Sequence, residues 1–271
     1  MSILSKIKIN ARAHDRIANT YELSHGEIFN PVEQARLRSK LEEAAGKITA
    51  AAALGKALDL GCGSGNLTAH LLAMGFSVTA ADVSRKFLQR LKARFGGEPR
   101  LETVLLNGLG LTAFPDGYFN FTAAYSVLHH VPDYLAMVRE MARVTAKGGV
   151  LYIDHEVQPG YWHPGPEYAA FKKESAPPPD SPPFSRFFRF STYINKIRML
   201  LDPRHIIEGD LHVWPDDHIE WDRVEQVFSG AGFETVLKED YLLYRQGCRE
   251  DIYLKYKDLC SDMRIFAARK L

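Results

Sequence analysis

The chain has 271 residues, of which 46% are hydrophobic and 25% are charged, as expected for a globular protein with a sizeable core. Its formal net charge of +1 gives no electrostatic reason to expect nucleic acid or an anionic membrane as a partner. Its three cysteines, Cys62, Cys248 and Cys260, are too few and too far apart for a disulfide framework or a zinc cluster.

The amino-terminal segment shows no targeting signal. The opening sequence MSILSKIKINARAHDR lacks the long apolar core of a secretory signal. No stretch of the chain reaches the ~18 consecutive apolar residues that a membrane span needs. We therefore expect a cytoplasmic protein with no membrane span.

The first helix with clear boundary signals is predicted to begin at Asn30, a residue type that often caps helices. Pro31 takes the first helical position, and Glu33 lies three residues after the cap, as in a capping box. The apolar residues that follow fall on one helical face, which we expect to pack on the core. They are Leu37, Leu41, Ala44, Ala45 and Ile48.

Strand and helix patterns alternate from residue 56 to residue 156. Five apolar runs predict strands: KALDLG, FSVTAAD, RLETVLLN, FNFTAAYS and GVLYIDHE. Between them, NLTAHLLAMG predicts a helix that ends at Gly75, and the next helix is capped by Ser84 and ends near Gly96. The segment PDYLAMVREMARVTAKGG predicts a third helix, which ends at its glycine pair. The alternation predicts an α/β fold whose parallel sheet has helices on both faces.

Residues 156–216 interrupt this alternation. Ten of the fourteen prolines and ten aromatic residues lie there, so the segment is too aromatic for a flexible linker. Long structured insertions usually serve as lids or binding loops, and we expect an ordered cap over a pocket rather than a loosely packed connection. The α/β pattern then resumes with the helix IEWDRVEQVFSGAG and the strands FETVLKEDYLLY and MRIFAARK.

Three glycines at alternate positions follow the first predicted strand, in LDLGCGSGNL. Gly61, Gly63 and Gly65 let the backbone pass close to a ligand, because no side chain intervenes. The dinucleotide fingerprint G-x-G-x-x-G would need a glycine where Asn66 stands, and no Gly-Lys-Ser/Thr of a phosphate loop follows. Asp59 precedes the glycines instead. A carboxylate there suits a cationic ammonium group, such as the amino-acid end of S-adenosylmethionine, better than a pyrophosphate.

A second acid, Asp82, ends the next predicted strand, 17 residues after Gly65. At the carboxyl edge of the sheet, Asp82 can accept hydrogen bonds from both hydroxyls of a ribose. Enzymes that bind NAD share such an acid, so Asp82 alone does not distinguish the two cofactors. The combination of Asp59, the glycines and Asp82 favours S-adenosylmethionine over the alternative of a tight turn with no ligand.

The segments ALDLGCGSGNLTAHLLAMGFSVTAADVS, FPDGYFNFTAAYSVLHHV and EMARVTAKGGVLYIDHE resemble the class I S-adenosylmethionine-dependent methyltransferases. The resemblance is greatest to the small-molecule type that includes ubiquinone and menaquinone biosynthesis enzymes. It covers roughly residues 14–156 and returns weakly in the final helix and strands. It implies a Rossmann-like sheet of seven strands, mostly parallel, with the last strand inserted antiparallel.

The resemblance also implies where the cofactor binds. Asp59 and the loop from Gly61 to Gly65, Cys62 included, would hold the methionine end, Asp82 the ribose, and Val83 the adenine. In the family, an acidic residue after the third strand commonly binds the adenine amino group. This chain has LLNGLGLTAF there, so Asn107 or the backbone around Gly108 and Leu109 must serve. The Phe-Asp pair that usually opens the fourth strand is Phe119-Asn120.

Candidate catalytic residues follow the fourth predicted strand, at the edge where ligands bind in open sheets. Tyr125 and Ser126 are expected near the methyl-donor end. His129 and His130 are adjacent, so we expect only one of the two rings to face the cleft. That ring would act as a general base or as a hydrogen-bonded structural residue.

Two further polar groups lie near the insertion. His155 and Glu156 follow the fifth strand, where they would contact the acceptor or tether the insertion. Together with His163 they show no established metal-ligand spacing, so no metal site is expected. The segment WPDDHIEWD, with Asp217, His218 and Glu220, directly precedes a helix and is interpreted as a cap.

Aromatic and basic residues of the insertion have two interpretations. They would either wall an acceptor pocket, in which the arginines bind an anionic group, or form the insertion's own small core. The residues concerned are Tyr161, Trp162, Arg186, Phe187, Phe188 and Arg189.

The sequence therefore predicts an enzyme that uses S-adenosylmethionine to methylate an oxygen, nitrogen or carbon of a small molecule by in-line displacement. The chain has no Asn/Asp-Pro-Pro-Tyr motif after the fourth strand, so a nucleic-acid acceptor is not expected. The alternatives are a quinone-type C-methyltransferase and a non-catalytic, cofactor-binding regulatory protein.

The sequence also predicts how the chain is divided. The expected divisions are an N-terminal helical segment covering the cofactor cleft (1–50), the cofactor-binding core (51–155), the cap (156–216) and the C-terminal completion of the sheet (217–271).

Overall fold

The structure is a computed structural model that describes residues 2–49, 55–175, 210–245 and 247–271. The strands are β1 (Lys56–Leu60), β2 (Ser77–Asp82), β3 (Leu101–Leu105), β4 (Phe119–Tyr125), β5 (Thr145–Val157), β6 (Val213–Trp214), β7 (Asp217–His218), β8 (Phe233–Tyr241) and β9 (Met263–Lys270). The helices are α1 (Ile3–Ile17), α2 (Tyr21–Ser24), α3 (Pro31–Ala45), α4 (Asn66–Ala73), α5 (Arg85–Arg94), α6 (Tyr134–Val144), α7 (Pro166–Glu174), α8 (Trp221–Gly230) and α9 (Glu250–Tyr256). A short 3₁₀ turn covers Leu128–His130.

Seven strands form one sheet in the order β3-β2-β1-β4-β5-β9-β8. Neighbouring strands are parallel from β3 to β5, and β9 is antiparallel to both β5 and β8. The predicted Rossmann-like, mostly parallel sheet with an inserted antiparallel last strand is therefore confirmed. Chain order reverses between β1 and β4, which is where ligands bind in open sheets of this type.

Helices cover both faces of the sheet, as predicted, because its central strands are apolar on both sides. On one face, Val138 and Met141 of α6 pack with Leu151 and with residues of α8. On the other face, Leu37 and Leu41 of α3 pack with α4 and with the inner sheet residues Phe121 and Tyr152. A separate two-stranded ribbon pairs β6 with β7.

The predicted cap of α3 is confirmed. The Oδ1 of Asn30 accepts a hydrogen bond from the Glu33 N–H at 2.9 Å, and Pro31 stands at the first helical position. The Nδ2 of Asn30 also donates to the Gly26 carbonyl at 3.0 Å and to the Tyr244 carbonyl at 3.1 Å. Asn30 therefore fixes both the start of α3 and its attachment to the segment after β8.

Replacing Asn30 by alanine is expected to lower the free energy of unfolding by about 2 kcal/mol, because the cap and the buried carbonyl partners lose their hydrogen bonds. Urea titration followed by circular dichroism measures the change. Asn19→Ala is the control, because the Asn19 side chain accepts a hydrogen bond from the exposed Arg90 side chain at 3.0 Å. A loss no larger than that of the control would contradict the assigned role.

The predicted boundary between α6 and β5 is wrong. Helix α6 does not reach the glycine pair but ends at Val144, because Thr145 turns extended and bonds its hydroxyl back to the Met141 carbonyl at 2.7 Å. Gly148 and Gly149 instead lie within β5. A Cβ on Gly149 would approach the Asn120 carbonyl oxygen to 2.8 Å, so close packing of β5 on β4 requires this glycine.

The capping interpretation of residues 214–222 is also wrong. Asp217 and His218 form β7, and the Asp217 carboxylate pairs with His212 Nδ1 at 2.5 Å. Glu220 occupies the cap position of α8, but its side chain makes no cap hydrogen bond and pairs with Arg223 at 3.0 Å. These polar groups therefore stabilise a ribbon rather than a helix start.

The beginning of the insertion packs against the C-terminal part of the chain. Tyr168 and Phe171 of α7 form a small apolar cluster with Tyr256 of α9, and the Tyr168 hydroxyl donates to Asp262 at 3.1 Å. The predicted pocket-wall residues Arg186, Phe187, Phe188 and Arg189 lie outside the described residues. Among the helices that the structure describes, none has the length and apolar character to cross a membrane.

Candidate active site

The glycine turn follows β1 and crosses the end of β2. The N–H groups of Gly61 and Cys62 both donate to the Ala81 carbonyl, at 2.7 and 3.2 Å. Gly61 has φ +67°, and a Cβ there would approach a Val127 methyl to 2.5 Å, so this position accepts only glycine. Around Gly63 an added Cβ would meet no atom closer than 4.0 Å, which shows that this glycine faces open space.

Asp82 lies at the end of β2 and holds the turn. Its Oδ2 accepts from the Gly63 N–H at 2.9 Å, and its Oδ1 accepts from the Ser84 N–H at 2.7 Å. Burial raises the pKa of Asp82, although these backbone hydrogen bonds oppose the rise. Its carboxylate is therefore fixed in place, with lone pairs left over for hydroxyl donors.

Asp59 lies one strand away, in β1, and is almost fully buried. Its Oδ2 accepts from the Thr68 hydroxyl of α4 at 2.6 Å. Burial raises the pKa of Asp59 to about 7, and the nearby Asp82 charge adds to the rise. The structure thus brings the two predicted acids to the same end of adjacent strands, on either side of the glycine turn.

A cleft of about 770 Å³, its open mouth included, lies at this edge of the sheet. Its floor comes from the carboxyl ends of β1 to β4 and its cover from α1. Of the predicted site residues, it is lined by Gly61, Gly63, Asp82, Val83, Gly108, Tyr125, Ser126 and His130. Sequence reasoning did not name the other lining residues, which include Ile7, Asn10, His14, Tyr21, Leu106 and Met137. The amphipathic pattern of residues 3–17 was the available signal for α1.

A second, smaller pocket of about 320 Å³ adjoins the cleft. The two share Tyr21, Gly61, Gly63 and Tyr125 and differ in that the smaller pocket reaches Asp59 and Cys62. Cys62 is buried with its thiol among apolar residues, and burial raises its pKa well above the usual value. Its thiol is therefore unreactive. Cys62 contributes to the pocket as part of the turn.

The loop after β3 reaches the cleft through Leu106 and Gly108. Gly108 lines the cleft, next to Ile7 of α1. The Asn107 side chain accepts from the Leu109 N–H at 2.9 Å, and Leu109 is 55% exposed. Neither Asn107 nor Leu109 lines the cleft.

Tyr125 ends β4 at the junction of both pockets. Its hydroxyl is buried and has no hydrogen-bond partner among the residues that the structure describes. Burial raises the Tyr125 pKa well above its usual value, so the hydroxyl stays protonated as a donor. Ser126 follows with φ +58°, a strained conformation for a non-glycine residue at the edge of the cleft.

His155 does not reach the cleft. Its ring stacks on Tyr125 at a centroid distance of 4.8 Å, and its backbone adopts φ +62°. Burial lowers the pKa of His155 to about 4, so the ring is neutral at physiological pH. The His155 ring therefore packs against Tyr125 and is not among the residues that line the cleft.

Of the two adjacent histidines, His130 is the one that lines the cleft. Burial together with the neighbouring His129 lowers the pKa of His130 to about 4. His129 is not among the lining residues and pairs through Nδ1 with Glu156 Oε2 at 2.8 Å. His130 is thus the only one of the three predicted catalytic histidines that lines the cleft.

The described aromatic residues of the insertion lie away from this cleft. Tyr161 packs beside the apolar cluster of α7 and α9, and Trp162 meets its ring edge-on at 4.9 Å. With His163, Tyr161 lines a separate surface groove. For this part of the insertion, packing within its own small core is the better interpretation.

The sequence of this chain is similar to methyltransferase sequences over the part that contains the glycine turn. Residues 58–153 match the model of a methyltransferase domain. A ubiquinone biosynthesis O-methyltransferase from Xanthomonas oryzae pv. oryzae is 29% identical over 130 residues, 46% of this chain and 49% of the relative. A demethylmenaquinone methyltransferase from Lysinibacillus sphaericus is 35% identical over 112 residues, 39% of this chain and 47% of the relative. The chain thus spans about half the length of the curated relatives that it matches.

A solved structure shares the fold over a longer stretch. It is an S-adenosylmethionine-dependent methyltransferase from Mesorhizobium loti, 18% identical, with a TM-score of 0.53 over 80% of this chain and 92% of that one. The matched segment of this chain holds the glycine turn and both buried acids. Residues 58–153 therefore match a methyltransferase domain, and the chain shares the fold of a solved S-adenosylmethionine-dependent methyltransferase.

Proposed function

We propose that the protein is an S-adenosylmethionine-dependent methyltransferase that acts on a small molecule. One observation carries the proposal: Asp59 and Asp82, both buried, flank a glycine turn that opens into a cleft. A buried carboxylate beside a pocket is costly unless a cation or several donors compensate it. The ammonium group and the ribose hydroxyls of S-adenosylmethionine supply both kinds of partner.

The two pockets suit the two ends of this cofactor. Asp59 in the smaller pocket would face the amino-acid end, and Asp82 in the cleft would accept from the ribose hydroxyls. Val83, Leu106 and Gly108 line the cleft beyond Asp82 and would hold the adenine between apolar groups. Asn107 and Leu109 would contribute only through the shape of their loop.

The acceptor would enter on the side of Tyr125 and His130. The methyl group is transferred by in-line displacement, so the main task of the protein is to align the two molecules and exclude water. With a pKa near 4, His130 is a weak base at neutral pH, and we assign it to contact with the acceptor. His129 and His155 would support their neighbours rather than touch substrate.

The named relatives favour a ring-bearing acceptor. One is named for ubiquinone biosynthesis and the other for demethylmenaquinone. The cleft has an apolar side formed by Ile7, Val131 and Met137. A quinone-type acceptor, methylated on carbon or oxygen, is therefore the second candidate. We further propose that the protein has no nucleic-acid partner, because its net charge is only +1. A cytoplasmic location is proposed as well.

Calorimetric titration of the purified protein with S-adenosylmethionine and with S-adenosylhomocysteine tests the proposal. Asp82→Ala is expected to weaken both affinities at least 100-fold, because it removes the ribose acceptors and releases the Gly63 N–H that shapes the turn. Asp258→Ala is the matched control, since the Asp258 side chain is 80% exposed and pairs with Lys257.

Three outcomes separate the alternatives. Binding that is lost in the Asp82 variant and kept in the control supports the cofactor site. Binding without product across a panel of phenols, amines and quinones would favour a non-catalytic, cofactor-binding protein. Absence of binding by folded wild-type protein would overturn the methyltransferase assignment.

A further inference from the structure

Three side chains with metal-binding donor atoms converge at the rim of the cleft. His129, His130 and Asp210 each place one such atom within 4.8 Å of the other two. His130 also lines the cleft, so the cluster is open to molecules that enter it. These residues show no metal-ligand spacing in the sequence, because Asp210 lies 80 residues after His130.

Main-chain contacts hold the two halves of the cluster together. The N–H groups of Leu211 and His212 donate to the His129 carbonyl at 2.8 and 3.1 Å. The His212 ring bonds the Val131 carbonyl at 3.0 Å through Nε2 and Asp217 at 2.5 Å through Nδ1. The segment that begins at Asp210 is thereby tied to the 3₁₀ turn that carries both histidines.

One histidine of the cluster is oriented as metal ligands usually are. Glu156 is buried, and its Oε2 pairs with His129 Nδ1 at 2.8 Å. Its Oε1 accepts from the N–H groups of Val127 and Leu128 at 3.0 and 2.7 Å. A carboxylate on one ring nitrogen fixes the ring and raises the basicity of the other, and this arrangement is common behind metal-bound histidines.

The other two members, His130 and Asp210, face each other through buried polar atoms. His130 Nδ1 lies 3.0 Å from Asp210 Oδ1, a distance that suits an ion pair. Both atoms are nevertheless buried without a properly aligned hydrogen bond among the described residues. A cation between the two atoms would give each of them a well-aligned partner.

We propose that His129, His130 and Asp210 bind a divalent transition-metal ion. Two imidazoles and one carboxylate suit zinc, iron(II), cobalt(II) or nickel(II) better than magnesium or calcium, which prefer oxygen ligands. Metal bonds of about 2.0–2.2 Å bring ligand atoms to about 3.5 Å from one another, so small side-chain rotations close the site. Three protein ligands leave positions for an oxygen or nitrogen ligand that enters through the cleft.

The charges near the site balance such an ion. Asp210 and Glu156 are the carboxylates in contact with the two histidines. With neutral imidazoles, two negative charges face the two positive charges of the metal. The competing interpretation is a plain histidine–carboxylate pair that binds protons but no metal.

Titration of the chelator-treated, untagged protein with cobalt(II) tests the proposal through the visible absorption of the ion, which requires no methyl transfer. We expect one equivalent to bind with nitrogen and oxygen ligation, at least 100-fold more weakly in Asp210→Asn and about 10-fold more weakly in Glu156→Gln. Zinc should displace the cobalt. His163→Ala is the control, because His163 lies in a different surface groove.

The Asp210→Asn substitution is chosen so that it does not disturb the fold. The Asp210 side chain is 20% exposed, and its replacement keeps size and shape; circular dichroism checks that the fold survives. Absence of cobalt binding by folded wild-type protein, or equal affinity in Asp210→Asn, would overturn the proposal. Thiolate charge-transfer absorption would overturn it too, by placing the metal on cysteine. None of these outcomes bears on whether S-adenosylmethionine binds.

Discussion

Replacement of Arg36 by methionine is expected to lower the free energy of unfolding by about 3–5 kcal/mol, as breaking a buried ion pair from one side does. Arg36 lies on α3, and its side chain is only 13% exposed. It pairs with Glu33 at 2.7 Å and with Asp154 at 3.1 Å, and both carboxylates are fully buried. Urea unfolding at pH 7 measures the loss.

The reason for so large an effect is the crowding of buried polar groups around Arg36. Asp154 accepts from the hydroxyls of Tyr152 and Tyr241 at 2.6 and 3.0 Å. The guanidinium also stacks over the Tyr241 ring at 3.8 Å. Burial raises the pKa of Glu33, and the Arg36 charge opposes that rise. Without Arg36, two carboxylates would remain buried with no cation beside them.

Arg38→Met is the matched control on the same helix. Arg38 pairs with Glu42 at 2.9 Å, but the two side chains are 67% and 51% exposed. Water screens such a pair, so its loss should change stability by about 0.5 kcal/mol or less. Equal effects of the two substitutions would show that the Arg36 cluster contributes no more than a surface pair.

The structural features that the sequence predicted correctly are set by residues that lie close together in the chain. The strands are short apolar runs, the turn after β1 needs its glycines for local reasons, and Asn30 caps the helix that follows it. The two acids at the ends of β1 and β2 could be placed together because parallel strands end at one edge. Each of these features is encoded within a few residues and then arranged by the sheet.

The features that sequence reasoning missed depend on residues far apart in the chain. Arg36 looks like any charge on a helix, and its partner Asp154 lies 118 residues away. Asp210 meets His130 only because the end of the insertion returns to the 3₁₀ turn. His155 follows a strand that ends at the ligand edge, yet its positive φ turns the ring under Tyr125. No local pattern encodes such contacts.

Replacement of Asp59 by asparagine should stabilise the fold and weaken the cofactor site together. The buried carboxylate has a pKa of about 7, far above the usual value of 3.8. Ionising it inside the protein therefore costs up to about 4 kcal/mol. Asparagine keeps an oxygen for the Thr68 hydroxyl and carries no charge, so it avoids this cost.

The pH dependence has a definite sign. Because the folded pKa of Asp59 is raised, its protonated form stabilises the native state at low pH, and this contribution is lost as pH rises from about 4 to 7. The advantage of Asp59→Asn should therefore grow from about 1 kcal/mol at pH 4.5 to about 4 kcal/mol at pH 8. Urea titrations across this range measure it, and the exposed Asp258→Asn should show no such trend.

The affinity for S-adenosylmethionine should change in the opposite direction. If Asp59 holds the ammonium group, wild-type affinity rises about tenfold between pH 6 and 7.5 as the carboxylate ionises. The amino group of the ligand titrates near pH 8, so the comparison stays below that value. Asp59→Asn should bind about 10–100-fold more weakly at pH 7.5, with no rise over this range.

Stability and affinity measured on the same variant separate a binding acid from a structural one. A carboxylate kept only for packing or for the Thr68 hydrogen bond would be replaced by asparagine with little change in affinity. A carboxylate kept for a cationic ligand costs stability until the ligand arrives, and the ligand then recovers part of that cost. A more stable variant with unchanged affinity would therefore remove Asp59 from the cofactor site while leaving the contribution of Asp82 intact.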